Sequence, residues 1–366
     1  MRIVLTGGGT GGHIIPLIAV ARIIKEKSPE AKIVFMGPKS DMEKRLMSGE
    51  RIPIYSVMSG KMRRYFSLVN LIDAFKIPIG IIQALFHLLW FMPDAIFSKG
   101  GYASLPVVIA GWLYCIPIMI HESDANPGLA NTILAKFSQR VAVSYSQAEA
   151  YFPSKQVVLT GNPLRSDIIQ GNPDRARKKF LLSEFKKVIF VWGGSLGART
   201  INDKILNILP KLLKKYQIIH QTGIKNFEEV ERRAGEAGVK AGRGGYYPLP
   251  FIGTELKDIL AVSDLVISRA GSNSISEIAA NGKPAIIVPI ENSANNHQRM
   301  NAYTIAKLGG AVVLDENNLG GNIMEEKIEE IMENQNFRQK LAANIKTFYH
   351  PDAAKKVAEG ILNMIE

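Results

Sequence analysis

The sequence predicts an α/β protein made of two Rossmann-like, doubly wound parallel-sheet domains that face a cleft. Its length of 366 residues is enough for two domains, each with its own core. Each half of the chain also opens in the same way, with a short apolar run, a glycine-rich turn and an apolar-periodic stretch, at residues 2–24 and again at residues 188–215. A strand that leads through a glycine turn into a helix is the opening unit of such domains.

The remaining apolar runs of strand length alternate with helical stretches, as expected for parallel sheets covered by helices on both faces. Predicted strands lie at residues 2–6, 32–36, 95–98, 117–120, 141–144, 157–160, 188–192, 217–221, 265–268, 285–289 and 311–314. The last strand of the first half ends in turn residues before a polar helix at Asp174, so we place the domain boundary near 161–165. This gives a first domain at 1–165, a second at 166–350, and a C-terminal helix within 351–366, for which packing back on the first domain is one option.

The composition excludes several functional classes. With 46% hydrophobic and 21% charged residues, the chain is neither disordered nor an ordinary multi-span membrane protein. A single cysteine, Cys115, excludes an intramolecular disulfide and a cysteine-cluster metal site, and it fits a reducing compartment. The amino terminus has no apolar stretch of signal-peptide length, so export is not expected. Zinc-finger spacing, an RNA-recognition motif and a long Lys/Arg block are absent from the sequence, so no nucleic-acid partner is expected.

The positive charge is concentrated in the first half of the chain. Residues 1–165 contain 18 Lys and Arg against 10 Asp and Glu, whereas the rest of the chain contains 27 against 23. Such a surface suits anionic lipid or a phosphorylated substrate. Residues 77–93 carry no formal charge, but they are too short and too interrupted to span a membrane. Two interpretations of the helix at 79–92 stay open: burial beside the sheet, or a membrane-facing patch formed together with the basic and aromatic residues 61–66.

The first glycine loop, residues 7–12, formally matches the dinucleotide fingerprint. That fingerprint also needs an acidic residue at the end of the second strand, where this chain has no carboxylate until Asp41. A phosphate-binding Walker loop is excluded, because no Gly-Lys-Ser/Thr follows. Two interpretations remain: a turn that brings backbone amides to a ligand with His13 at the mouth of the next helix, or a plain tight turn capped by that histidine.

Residues 268–277 form the most informative segment. Serine and asparagine at a helix start lie beside the positive end of the helix dipole, which suits a diphosphate. Glu277, about one turn into the helix, is placed to accept both hydroxyls of a ribose. The alternative is an ordinary Ser-x-x-Glu capping box. The candidate ligand residues of this segment are Arg269, Gly271, Ser272, Asn273, Ser274, Ile275, Ser276 and Glu277.

Other polar residues also stand at predicted strand ends, where open α/β sheets bind their ligands. They are Lys99 and Tyr102 in a second glycine turn, His121, Glu122 and Asn131 after the strand at 117–120, Arg165 at the end of the first domain, and Gln298 after the strand at 285–289. The sequence has no Asp-x-Asp clamp, His-x-x-x-His pair or nucleophile elbow, so it predicts neither a metal nor a cofactor. Helix dipoles, backbone amides, Arg165 and Arg269 would then neutralise a leaving diphosphate.

Taken together, these motifs resemble those of the MurG family of bacterial glycosyltransferases. The matching segments are 8–13, 99–102, 121–122, 161–165, 193–198, 276–277 and 296–298, in order and at similar spacing. The resemblance implies a GT-B fold and an inverting transfer of N-acetylglucosamine from UDP-N-acetylglucosamine to the 4-hydroxyl of undecaprenyl-diphospho-N-acetylmuramoyl-peptide (lipid I), which makes lipid II for peptidoglycan synthesis. It also implies a peripheral position on the cytoplasmic face of the plasma membrane, against anionic lipid.

The resemblance further implies a role for each site residue, with the acceptor on the first domain and the donor on the second. On the donor side, the Ile252 backbone would contact the uracil, Glu277 the ribose, Ser195 and the helix after Gly271 the diphosphate, and Gln298 the sugar. Four residues of the first domain would complete the donor site: Thr10, Gly11, Gly12 and Arg165. The acceptor side would consist of His13, Tyr102, His121, Glu122 and Asn131. Two segments depart from the family. Ser123 and Asp124 stand where some relatives have Gln-Asn, so Asp124 receives no donor contact, and the second glycine loop reads Ser-Leu-Gly rather than Ser-Gln-Gly.

The transfer needs a general base for the acceptor hydroxyl. His13 is preferred, because a neutral imidazole near pH 7 suits this task, and Glu122 is the rival that the sequence does not exclude. Alternative functions are another GT-B enzyme, such as a transferase to diacylglycerol or a nucleotide-sugar epimerase, and a non-catalytic module that binds a nucleotide sugar or a membrane surface. A dinucleotide-dependent oxidoreductase is disfavoured by the missing strand-end acid.

Overall fold

The computed structural model describes residues 1–9, 11–60, 68–194, 197–291, 293–320 and 322–365. It divides the chain into two compact units. The first unit is Met1–Arg165 together with His350–Glu366, and the second is Ser166–Tyr349. The chain therefore leaves the first unit after Arg165 and returns to it at its carboxyl end.

The first unit contains a seven-stranded parallel sheet. Its strands are β1 Arg2–Thr6, β2 Lys32–Gly37, β3 Ile54–Ser56, β4 Ala95–Ser98, β5 Ile118–Glu122, β6 Arg140–Val143 and β7 Val157–Leu159. They are ordered β3-β2-β1-β4-β5-β6-β7. The helices between them are α1 Gly11–Lys27, α2 Asp41–Gly49, α3 Leu68–Phe91, α4 Leu105–Leu113 and α5 Leu129–Leu134.

The second unit contains a six-stranded parallel sheet. Its helices are α6 Pro173–Lys179, α7 Arg199–Lys215, α8 Phe227–Glu236, α9 Leu256–Val262, α10 Ser272–Ala280, α11 His297–Lys307, α12 Ile323–Glu333 and α13 Gln335–Lys346. The strands are β8 Val188–Trp192, β9 Gln217–Gln221, β10 Tyr246–Leu249, β11 Leu265–Arg269, β12 Ala285–Val288 and β13 Ala311–Val313, in the order β10-β9-β8-β11-β12-β13.

Both sheets have the strand order of a doubly wound domain, which confirms the predicted fold class for each unit. The order reverses between β1 and β4 in the first unit and between β8 and β11 in the second. Ligands of open α/β sheets bind at the carboxyl ends of the strands beside such a reversal. The two glycine loops follow β1 and β8, so each lies at the reversal point of its own sheet.

Strand β1 shows why these segments form buried parallel strands. Ile3 and Leu5 pack with side chains of α1 on one face of the sheet, whereas Val4 packs with side chains of α3 and α4 on the other. Successive side chains of a strand point to opposite faces. Because all three are fully buried, the strand is apolar at successive positions rather than alternating with polar residues.

The last helix, α14 Ala353–Leu362, completes the core of the first unit. It packs on α1. Val357, Ala358 and Ile361 are fully buried there in the same cluster as Ile3 and Leu5. The ion pair between Lys27 Nζ and Glu359 Oε1, 2.8 Å apart, joins the two helices at the surface. Packing on the first unit is thus the option that the structure adopts.

Several predicted bounds are corrected by the structure. The short strands β3 and β10 were not predicted, and β5 continues through His121 and Glu122, which end the strand instead of following it. Helix α3 begins at Leu68, well before the predicted start at 79, and includes Pro78. The basic and aromatic segment 61–66 lies outside the described residues. Within the part of the chain that the structure describes, no helix has the length and apolar character needed to cross a membrane.

Between residues 76 and 91, helix α3 is buried on one face and exposed on the other. Gly80, Ala84 and Leu88, four residues apart, are buried against the rest of the unit. Phe86 is 67% exposed and Trp90 is 79% exposed, and both lie on the opposite face. Complete burial of this helix beside the sheet is therefore wrong, and an apolar surface remains to be explained.

Candidate active site

The glycine loop after β1 is held by a buried acid of α2. Glu43 is 1% exposed, and its Oε1 accepts a hydrogen bond from the Gly9 amide at 3.0 Å. Gly8 has a φ of 132°, and a Cβ on it would lie 3.0 Å from the Pro38 ring, so a side chain at this position would be strained. The Gly9 amide is thus used within the protein. Of the predicted donor contacts of this loop, Thr10, Gly11 and Gly12, Thr10 lies outside the described residues.

His13 lies in the first turn of α1, which Gly11 and Gly12 open. Its Nδ1 is 3.0 Å from the Gly8 carbonyl oxygen. A carbonyl can only accept, so Nδ1 carries the proton of the neutral ring and Nε2 carries the lone pair. Burial lowers the pKa of His13 below its ordinary value, and the charge of Lys99 acts in the same direction, against the raising effects of the Gly8 hydrogen bond and Asp124. A neutral imidazole with a basic Nε2 has the chemistry of a general base.

The loop after β4 supports the His13 ring. A Cβ on Gly101 would lie 3.2 Å from His13 Cε1, so the ring packs directly on the backbone of this glycine turn. The Gly101 amide donates to Asn131 Oδ1 at 3.3 Å. The Asn131 side chain leaves no room for a larger residue at Gly100, because a Cβ there would lie 1.9 Å from Asn131 Oδ1. The half-buried Tyr102 follows in the same turn.

His121 and Glu122 occupy the end of β5 and are both buried. His121 accepts from Lys99 Nζ at Nδ1, 2.6 Å away, and donates from Nε2 to the Gly161 carbonyl at 3.0 Å, so both ring nitrogens have protein partners. Burial lowers the pKa of His121 well below its ordinary value. The imidazole is therefore neutral and belongs to the framework of the first unit.

Glu122 orders the loop that follows β5. Its Oε1 accepts from the Asp124 amide at 2.9 Å, and its Oε2 accepts from the Gly128 amide at 3.2 Å and from Asn131 Nδ2 at 2.8 Å. Burial raises the pKa of Glu122 to about 7, and the charge of Asp124 adds to the increase. All three of these hydrogen bonds serve the loop that follows β5, and the choice between His13 and Glu122 as general base stays a prediction.

Arg165, the last residue of the first unit's amino-terminal segment, is half-buried. The pKa of Glu50 lies below its usual range, mainly because Arg22 donates a hydrogen bond to it, and the charge of Arg165 acts in the same direction. Arg165 therefore lies near the end of α2, where Glu50 stands. Whether its guanidinium also contacts a donor diphosphate stays a prediction.

In the second unit, the segment after β11 forms the start of α10. The helix begins at Ser272 with Gly271 as its N-cap. A capping box needs its serine at the N-cap, but Ser274 already lies inside the helix, so the alternative interpretation of Ser274 and Glu277 as a capping box is wrong. Glu277 is 5% exposed on the sixth residue of α10. The candidate residues Ser272, Asn273, Ser274, Ile275 and Ser276 are the first five of the helix.

Arg269, at the end of β11, is engaged within the second unit. Its Nη2 pairs with Glu316 Oε1 at 2.5 Å, and its Nη1 donates to the Val288 carbonyl at 3.2 Å. Burial is the largest influence on the pKa of Glu316 and raises it. The hydrogen bond and the charge of Arg269 act in the opposite direction, and the resulting pKa lies below its ordinary value. The positive charge that was predicted to face a diphosphate is thus balanced by a carboxylate of the protein.

Gln298 stands at the start of α11, where its Oε1 accepts from the Ile290 amide at 3.0 Å. The helix is preceded by Asn295 and Asn296 in left-handed conformation, with φ of 55° and 53°. A cavity of about 180 Å³ opens beside this turn. Its lining consists of Pro289, Ile290, Glu291, Arg299, Asp315, Glu316, Asn317 and Asn318.

Two other residues, Ile252 and Ser195, were predicted to contact the donor. Ile252 is 6% exposed in the connection between β10 and α9, with its neighbour Phe251 half exposed. Ser195, in the second glycine loop, lies outside the described residues. The described residues contain no group of three or more His, Cys, Asp or Glu side chains able to hold a metal ion.

Sequence reasoning missed two side chains that shape the site, and the contacts of a third. Glu43 and Glu316 were not singled out, and the contacts of Lys99 were not foreseen. Their partners stand far along the chain, so no spacing pattern indicates them. The one available signal was chemical: an acid in the first turn of the helix after β2, and a lysine directly after a buried strand.

Comparison with known proteins assigns both units to one family. Residues 3–143 match the glycosyltransferase family 28 N-terminal domain, and residues 188–357 match the glycosyltransferase family 28 C-terminal domain. The UDP-N-acetylglucosamine--N-acetylmuramyl-(pentapeptide) pyrophosphoryl-undecaprenol N-acetylglucosamine transferase 2 of Bacillus cereus is 38% identical over 98% of this chain and 99% of the relative. The transferase of the same name, without a number, from Clostridium perfringens is 37% identical over 100% and 97%.

Solved structures agree. The crystal structure of MurG from Acinetobacter baumannii superposes with a TM-score of 0.75 at 25% identity, over 99% of both chains. A UDP-GlcNAc 2-epimerase from Neisseria meningitidis superposes with a TM-score of 0.71 over 99% of this chain and 100% of its own, but at 14% identity this likeness shows the fold alone. Since the transferase relatives match nearly the whole chain, the protein belongs to the MurG family of N-acetylglucosaminyltransferases, within glycosyltransferase family 28.

Proposed function

We propose that this protein is an inverting glycosyltransferase that moves N-acetylglucosamine from UDP-N-acetylglucosamine to the 4-hydroxyl of the muramoyl sugar of lipid I, and so makes lipid II. The observation that carries the proposal is the identity of 37% to 39% to transferases of that name over nearly the full chain. The geometry of His13 supports it from within this chain, because the ring is neutral and its Nε2 carries the lone pair.

The reaction takes place in one displacement. The acceptor oxygen attacks the anomeric carbon and forms the new glycosidic bond, while the bond from that carbon to the diphosphate oxygen breaks and UDP leaves with the electron pair. The hydroxyl proton passes to His13 Nε2. A single displacement inverts the anomeric centre, so an α-linked donor gives a β-linked product. In the second unit, the positive end of the α10 dipole stabilises the charge that develops on UDP.

We assign donor binding to the second unit and acceptor binding to the first. Burial of Glu277 close to the start of α10 supports a ribose contact beside a diphosphate held at that helix start. The turn that carries Gln298 and the cavity beside it suit the sugar. In the first unit, Tyr102 and His13 flank the same glycine turn, which suits an acceptor hydroxyl placed against His13.

A transfer assay tests this function. Radiolabelled UDP-N-acetylglucosamine is incubated with a lipid I analogue, and the lipid-soluble label is counted. The proposal expects label in the lipid fraction only when both substrates are present, and a β-linkage in the product by NMR. Conversion of the donor alone to its 2-epimer would instead indicate a nucleotide-sugar epimerase, and binding of UDP without turnover would indicate a non-catalytic module.

We also propose that the first unit docks peripherally on anionic lipid at the cytoplasmic face of the plasma membrane. There a water-soluble donor meets a lipid-anchored acceptor. The exposed face of α3 carries Ile79, Ile82, Phe86 and Trp90, three or four residues apart and 47% to 79% exposed. An apolar stripe of this kind on a surface indicates an interaction site. The excess of basic residues in the first 165 positions supports anionic lipid as the partner.

The carboxyl end of α4 carries further exposed apolar side chains of the first unit. Helices α3 and α4 pack side by side. Trp112, Leu113 and Tyr114 are 49%, 52% and 42% exposed at the carboxyl end of α4. Aromatic side chains with a polar atom are favoured at the interface between lipid and water. The two helices together supply the apolar and aromatic groups that a peripheral contact needs.

Vesicle binding with a matched control tests the docking. Replacing Phe86 and Trp90 together by serine should weaken binding to anionic vesicles roughly tenfold or more, because two large apolar side chains no longer enter the interface. Phe185→Ser is the control, since Phe185 is 98% exposed in the second unit and should not affect binding. Binding of the unmodified protein that ignored both anionic lipid and salt would refute the proposal.

A further inference from the structure

Lys99, the first residue after β4, is a buried cation whose hydrogens are all used inside the protein. Lys99 is only 1% exposed. Its ammonium group donates to His121 Nδ1 at 2.6 Å, to Asn162 Oδ1 at 3.3 Å, and to Ser123 Oγ. An ammonium group has three hydrogens, and each has an acceptor here. None is left for a substrate phosphate, so Lys99 is not a binding residue.

The partners of Lys99 come from the loops that carry the acceptor side of the site. His121 and Ser123 stand at and just after the end of β5, and Asn162 follows β7. The backbone amide of Lys99 donates to the Thr6 carbonyl at the end of β1, 2.9 Å away. One residue therefore ties together the carboxyl ends of β1, β4 and β5 and the segment after β7.

This arrangement reaches His13 through the glycine turn. Gly101 lies two residues after Lys99, and the His13 ring packs on its backbone. The Gly101 amide is held by Asn131, whose Nδ2 donates to Glu122. A shift of the Lys99 backbone would move the surface on which His13 rests. Displacements of about 1 Å at a reacting group can lower turnover about a hundredfold.

Two carboxylates compensate the buried charge. Burial is the largest influence and lowers the pKa of Lys99 to about 7, whereas Glu122 and Asp124 raise it. Ser123 is an acceptor for the ammonium group, and Asp124 supplies a counter-charge. This gives a physical reason for Ser123 and Asp124 at the positions where some family members have Gln-Asn.

We propose that Lys99 is a positioning residue for glycosyl transfer, which fixes the loops after β1, β4, β5 and β7 so that His13 faces the acceptor hydroxyl. The inference rests on the proposed function, since it takes His13 to be the general base.

The test compares Lys99→Met with Lys283→Met. Methionine keeps the apolar stem of lysine but removes the charge and all three donors. Lys283 is the control, because it is a half-buried lysine of the second unit whose Nζ donates to the Ala261 and Ser263 carbonyls at 2.8 Å and 3.0 Å. We expect Lys99→Met to lower kcat roughly ten- to a hundredfold while the Kd for UDP stays within about twofold. Lys283→Met should change neither.

A second readout follows His13 itself. In protein labelled with ¹⁵N-histidine, the His13 signals are assigned with a His13→Gln variant. Lys99→Met should shift or broaden them, and Lys283→Met should not. Unchanged His13 signals, or an unchanged kcat in folded Lys99→Met, would overturn the proposal. If Lys99→Met fails to fold, Ser123→Ala, which removes one acceptor, takes its place with an expected kcat loss of about three- to tenfold. If the unmodified protein transfers no sugar, the proposed function fails, and the NMR comparison still decides whether Lys99 positions His13.

Discussion

The two candidate bases differ in what their hydrogen bonds do. Both carboxylate oxygens of Glu122 accept hydrogen bonds from the segment that follows it, so its removal would disorder Asp124, Gly128 and Asn131. His13 donates from Nδ1 to the Gly8 carbonyl, and Nε2 carries the lone pair of the neutral ring. Loss of His13 should therefore affect chemistry, and loss of Glu122 should affect order.

His13→Ala should lower kcat by about a hundred- to ten-thousandfold, as expected for removal of a general base, with the Kd for UDP nearly unchanged. Steady-state kinetics and calorimetry measure the two quantities. In the unmodified protein, kcat/KM should fall as the pH drops through a pKa below 6.5, because burial favours the neutral ring and protonation removes the base. Retention of most of the activity in His13→Ala would exclude it as the base.

Glu122→Gln is the matched comparison. The amide keeps one acceptor oxygen but replaces the other by an NH₂ group that faces N–H donors, so one or two hydrogen bonds of the loop are lost. We expect about 1–3 kcal/mol less stability and a smaller loss of kcat than in His13→Ala. Thermal unfolding and the transfer assay decide this, and a larger kcat loss than for His13→Ala would make Glu122 the base instead.

Helix α14 contributes to the stability of the first unit, because its buried side chains complete the core formed by α1 and the sheet. Ile361→Ala should cost about 2–5 kcal/mol, since Ile361 is fully buried against α1 and the sheet. Urea unfolding followed by circular dichroism measures the change. Ile224→Ala, at a side chain 67% exposed in the second unit, should stay within about 0.5 kcal/mol. Equal effects of the two substitutions would contradict the assignment.

The strands and loops also show which parts of the fold could be predicted from the sequence. Central strands such as β1 and β8 are continuous apolar runs because both faces are covered, so they were predicted. The edge strands β3 and β10 were not, because β3 is only three residues long and partly exposed and β10 contains Pro248. The glycine loops were also predicted, because a glycine-rich turn between a strand and a helix is visible in the local sequence. The contacts that arrange them were not, since Gly9 meets Glu43 and Lys99 meets Asn162 only after the sheet has brought distant segments together.

At the scale of the whole molecule, each unit contains a fully buried neutral histidine. His121 stands in the first unit, and His220 in the second, where Tyr246 Oη and Asn202 Oδ1 are within 3.0 Å of its two nitrogens. Burial lowers the pKa of His220 to about 3. Such a residue binds a proton below pH 6.5 only when the chain unfolds, so its contribution to stability is complete above pH 6.5 and is lost as the pH falls towards 3.

The free energy of unfolding of the second unit should therefore drop by about 2 kcal/mol between pH 7 and pH 5 from His220 alone. Denaturant titrations over that range measure the slope. His220→Gln, which keeps a donor and an acceptor but does not titrate, should flatten it, whereas His87→Gln in the first unit should not. A slope unaffected by His220→Gln would show that folding does not lower the pKa of this histidine.

The return of the chain to the first unit also sets the order in which a ribosome can complete the two units. Synthesis proceeds from the amino end, so Ser166–Tyr349 is finished while the first unit still lacks Val357, Ala358 and Ile361. The nascent chain must keep the apolar surface of α1 and β1 unfilled until its last residues emerge, a period in which that surface is open to chaperones and to aggregation. The half of the protein that is made first is the half that is finished last.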